Sequence, residues 1–103
     1  MGIEVVLQDE KCNPIGHAVH DPDGIIAKCL PELDDESYCC VRFIDPYGDT
    51  IFNPLQAAAM IEEWDRLKAE FIDKNATKLW AEVRDLIVHC SEKPHYYLRF
   101  VGD

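Results

Sequence analysis

The sequence is short of positive charge. Ten Lys and Arg residues face 20 Asp and Glu residues, for a net charge of −10 at pH 7. A phosphate-backbone ligand needs a basic footprint, so this balance excludes DNA and RNA as expected partners, and with them a polybasic membrane anchor. No apolar run approaches the roughly 20 residues that span a bilayer. Met1 to Glu10 carries no base and three acids, Glu4, Asp9 and Glu10, which excludes a secretory leader. Val6 stands where a myristoylation signal needs Ser or Thr. There is no C-x-x-C, P-loop, G-x-S-x-G, H-E-x-x-H or dinucleotide fingerprint. These absences point to a cytoplasmic chain without cofactor, metal or catalytic constellation.

The chain does carry enough apolar sequence for one core, and its 103 residues make a single domain, 1–103. The five cysteines, Cys12, Cys29, Cys39, Cys40 and Cys90, are odd in number and suit a reducing compartment, where they serve as inert small hydrophobes. Adjacent Cys39 and Cys40 point to opposite faces of a strand and do not readily bridge. His17 and His20, three apart on a predicted strand, likewise diverge, so no zinc pair is expected. Counted from Asp21 as a calcium loop, the fifth position is Ile25, which has no oxygen ligand; Asp21-Pro22-Asp23-Gly24 reads as a turn.

Periodicity supplies the elements. Ile3 to Gln8 alternates as a half-buried strand, and Ile15 to His20 reads as its hairpin partner. One or two helical turns follow from about Gly24 to Leu30, stopped by Pro31. Pro31 to Ser37 holds Glu32, Asp34, Asp35 and Glu36 and is expected to be an exposed loop. Tyr38 to Ile44 reads as a strand with Cys39, Val41 and Phe43 on the core face. Asp45-Pro46-Tyr47-Gly48-Asp49 turns the chain into a short strand over Thr50 to Phe52. Asn53 and Pro54 open a helix that runs to about Asp73. A second helix is expected from Ala76, capped by Asn75, to about Ser91. Both carry apolar stripes, including Trp64 on the first and Trp80 on the second. His95 to Val101 is the last strand. The expected fold is α+β: about five mainly antiparallel strands with an antiparallel helix pair on one face, in the order β-β-(short α)-β-β-α-α-β.

Two features carry a functional expectation. Val41-Arg42-Phe43-Ile44 and Leu98-Arg99-Phe100-Val101 are near copies, which would set Arg42 and Arg99 beside Tyr97 on the uncovered sheet face. That mixture has the composition of a binding surface, unless Glu4 and Gln8 pair with the arginines. Charge is also uneven, with 11 acids against 3 bases in residues 1–50 and 9 against 7 in the remainder. The Glu32, Asp34, Asp35, Glu36 loop is its densest part. Such a field steers basic partners. In general type, a compact acidic α+β domain without catalytic motifs resembles bacterial immunity and inhibitor proteins; no residue role follows from that likeness.

The leading expectation is therefore a non-enzymatic binder of a protein partner, plausibly basic. The alternatives are a small ligand-binding domain or enzyme with a pocket beside the sheet, and a homodimer through the outer sheet face. A deep pocket gathering His17, His89 or His95 with a carboxylate would favour the enzyme.

Overall fold

The computed structural model describes residues 2–102. Its strands are β1 (Glu4–Asp9), β2 (Asp49–Phe52) and β3 (Tyr96–Val101), and its helices are α1 (Ile25–Cys29), α2 (Pro54–Leu67) and α3 (Lys74–Glu92). The strand order is β1-β3-β2, with both outer strands antiparallel to β3. Alternation decides which side is covered. Val5, Leu7, Phe52, Leu98 and Phe100 turn inward and are buried under α2 and α3. Glu4, Val6, Ile51, Tyr97, Arg99 and Val101 occupy the other face.

The expected five-stranded sheet with a helix pair is thus corrected to a three-stranded antiparallel sheet with three helices. Two expected strands are missing, each for a local reason. Residues 14–20 follow the edge of β1 but pair with it only at isolated bridges, Gln8 with Pro14 and Val5 with Val19. Ile15 N–H donates to Leu7 C=O at 2.7 Å, and Val5 and Val19 exchange two bonds of 2.9 Å. Four residues of the segment therefore advance along two of β1. The excess loops out at Gly16, whose φ of +71° suits only glycine without strain. Pro14 has no N–H to extend the ladder.

Tyr38 to Ile44 is not a strand but bends into a 3₁₀ turn at Val41–Phe43. Val41 and Ile44 are buried, while Cys39 and Phe43 are exposed. Burial here recurs every third residue, and an alternating sequence concealed that period. The cause lies on α2. Glu63, only 4% exposed, accepts the N–H groups of Cys39 at 3.0 Å, Cys40 at 3.1 Å and Val41 at 3.0 Å. Three consecutive amides converging on one carboxylate cannot also serve a sheet ladder.

The first long helix ends sooner than its stripe suggests, while the second runs slightly beyond its expected bounds at both ends. α2 begins with a reciprocal cap, Asn53 Oδ1 accepting from Gln56 N–H at 2.8 Å and Gln56 Oε1 from Asn53 N–H at 2.9 Å, with Pro54 in the first turn. It stops at Leu67 and tightens into a 3₁₀ turn over Lys68–Glu70. Asp73, not Asn75, caps α3, accepting from Ala76 N–H at 2.8 Å. α2 and α3 are joined by a reciprocal bond between two buried aromatics. Trp64 Nε1 donates to Trp80 C=O at 3.0 Å, and Trp80 Nε1 donates to Trp64 C=O at 2.8 Å. Arg84 adds a fork onto Asp65 at 2.7 and 3.1 Å, which holds the Asp65 carboxyl below its ordinary range.

Candidate functional site

The acidic loop is built rather than slack. Asp21, almost fully buried, accepts the N–H groups of Ile25 at 2.9 Å and Ile26 at 2.7 Å and so fixes the start of α1. Leu30 ends that helix in extended backbone and the chain turns at Pro31. Asp35 then accepts from Ser37 Oγ at 2.6 Å and from Ser37 N–H at 3.1 Å. Those bonds, hydroxyl first, draw its carboxyl below the usual value. Two arginines tie the loop down. Arg42 Nη1 donates to Leu33 C=O at 3.1 Å, and Arg66 donates to Ser37 C=O while lying 4.2 Å over the Tyr38 ring.

A groove of about 500 Å³ opens between Leu30–Leu33 and Arg42–Pro46. A second, of about 400 Å³, continues past Ala27 and Pro46, which line both, to Tyr47. Three large side chains border this strip without being covered: Leu33 is 65% exposed, Phe43 51% and Tyr47 82%. The Arg42 guanidinium lies 4.5 Å over the Phe43 ring. Its Nε is buried without a hydrogen-bond partner. Glu32 and Asp45 stand at the rim.

The seven residues expected to form a site fall into two groups. Glu32, Asp34, Asp35, Glu36 and Arg42 belong to this loop and its turn. Tyr97 and Arg99 belong to the outer face of β3, where Arg99 lies between Val6 and Ile51 in register. The two arginine motifs therefore adopt different structures, one a 3₁₀ turn and the other a strand, and the single face expected to hold Arg42 and Arg99 does not form. Neither Glu4 nor Gln8 takes an arginine. Glu4 pairs with His20 at 2.8 Å, Gln8 is buried, and Arg99 donates through Nε to Asp49 at 3.0 Å. Sequence reasoning missed Leu33, Phe43 and Tyr47 as exposed groups. The signal available was their position beside prolines and acids in segments too short to bury them.

A third groove, of about 360 Å³, lies between the Gly16 loop and the last turns of α3. It gathers His17 and His89 with Glu92, the combination that would favour a ligand site or enzyme. Among the described residues no three metal-ligating side chains stand together. Burial raises the thiols of Cys29 and Cys40, and pushes Cys90 up to about 11, the opposite of activation. All five cysteines are free thiols. No helix among the described residues is long and apolar enough to cross a membrane.

No family model, curated protein or solved structure matches this chain.

Proposed function

We propose that this chain is a protein-binding module that docks a basic partner on the strip bordered by Leu33, Phe43 and Tyr47. One observation carries the reading: three large, uncovered side chains border two adjoining grooves, the first edged by Glu32 and Asp45, in a chain of net charge −10. Apolar anchors at the centre of a contact supply most of its energy once water is excluded, and a charged rim sets encounter and partner choice. Arg42 organises the centre by holding Leu33 through its carbonyl and Phe43 through its ring. The raised thiols support binding rather than nucleophilic chemistry, and an odd set of free cysteines suits the cytoplasm.

The test is capture of partners from the source lysate, followed by kinetics. Phe43→Ala should raise the dissociation rate of a captured basic protein by at least about tenfold, as expected for a central anchor. Arg42→Ala should do the same by releasing both neighbours. A partner whose binding ignores Phe43 and Arg42 and is indifferent to salt would overturn the proposal.

A further inference from the structure

The third groove shares no residue with the docking strip. Its walls are apolar: Leu7 from β1, Ile15 from the segment beside it, Leu86 from α3 and Tyr96 from β3. Its polar groups are His17, His89, Lys93 and Glu92. The chain has four histidines, and two of them hold carboxylates, His20 on Glu4 at 2.8 Å and His95 on Glu10 at 3.1 Å. The other two, His17 and His89, have no side-chain hydrogen bond or ion pair among the described residues, and both line this groove. Lys93 is in the same condition. Three nitrogen donors thus border one apolar concavity against a single acid, in a chain where acids outnumber bases two to one.

His89 and Lys93 have a second reason for their place, since the C-terminal end of a helix favours cations. His17 has none. It is brought to the groove by the outward loop at Gly16, which interrupts the pairing of its segment with β1.

We infer that this groove is a binding site for a small amphipathic carboxylate, its apolar body between Leu7, Ile15, Leu86 and Tyr96 and its acid group toward His17, His89 and Lys93. The volume falls at the small end of the range of ligand pockets.

Octanoate is the probe, with octanol and octylammonium as matched controls, followed by backbone amide chemical shifts. Octanoate should shift the amides of Leu7, Gly16, Leu86 and Tyr96 saturably. Octanol and octylammonium should bind at least about tenfold more weakly, having lost the charge-assisted bonds. The double variant His17→Ala, Lys93→Ala should weaken octanoate about tenfold with an unchanged melting temperature, both residues being exposed, and Lys93→Arg should retain most of the affinity. Equal binding of all three probes, no shift with octanoate, or full affinity in the double variant would each overturn the assignment. None of these outcomes depends on the docking strip.

Discussion

Glu63 shows how one side chain redirects a segment. It sits on the buried stripe of α2, three residues after Met60 and next to Trp64, where an acid is out of place unless something inside the fold needs it. That misplacement was the readable signal; which amides it serves was not, because they lie more than 20 residues earlier. Glu63→Gln keeps the shape but cannot accept three donors with a full charge, so it should cost about 2–4 kcal/mol in urea unfolding. Hydrogen exchange should speed first at Cys39, Cys40 and Val41. Cys90 makes a different prediction. Its thiol donates to the Tyr96 carbonyl at 3.7 Å, and burial pushes its pKa from 9.0 to about 11. Below pH 9 both folded and unfolded chains keep the proton, so the contribution is complete. Between pH 9 and about 11 the unfolded chain releases a proton that the fold retains, and stability falls as pH rises. Urea midpoints at pH 8 and pH 10.5 should diverge less for Cys90→Ala than for the parent.

At the scale of elements, the helices were legible and two of the five expected strands were not. Caps are local chemistry, so Asn53-Pro54 could be read directly, and apolar stripes located α3 to within two residues at each end but carried α2 six residues too far. Strand pairing is not local. Residues 15–20 have an alternating pattern but lose the ladder to Pro14 and Gly16, and Tyr38 to Ile44 loses it to Glu63. The stripe tryptophans do more than fill volume, since each indole N–H reaches the other helix's carbonyl. Trp64→Ala or Trp80→Ala should cost about 3–5 kcal/mol. Trp80→Phe, which mainly removes one donor, should cost about 1–2 kcal/mol. A Trp64→Phe, Trp80→Phe pair should depart from additivity in denaturant melts, because the two bonds share one contact.

For the molecule as a whole, charge was the legible property and shape was not. The acidic loop was found from composition, but the exposed strip beside it depends on where Leu33, Phe43 and Tyr47 end up, and the expected pairing of Arg42 with Arg99 failed because one near-copy is a turn. The loop also differs in kind from a free cluster of acids. Asp35 keeps its charge but is also part of the framework through Ser37, so only Glu32, Asp34 and Glu36 can be neutralised without touching those bonds. Neutralising those three to Gln or Asn should slow association with a basic partner about tenfold at low salt and leave unfolding midpoints unchanged. Replacing Asp35 as well should lower the midpoint. The strand order has a temporal consequence. The centre of the sheet is the strand that comes last, so until β3 leaves the ribosome β2 has no ladder partner and β1 has only its isolated bridges to Pro14 and Val19. At about 5–20 residues per second, the stretch between β2 and β3 takes roughly 2–10 s to synthesise. Through that interval the nascent chain holds two open strand edges and an unburied apolar face, which is the period in which a chaperone, or another copy on the same polysome, has its chance to bind.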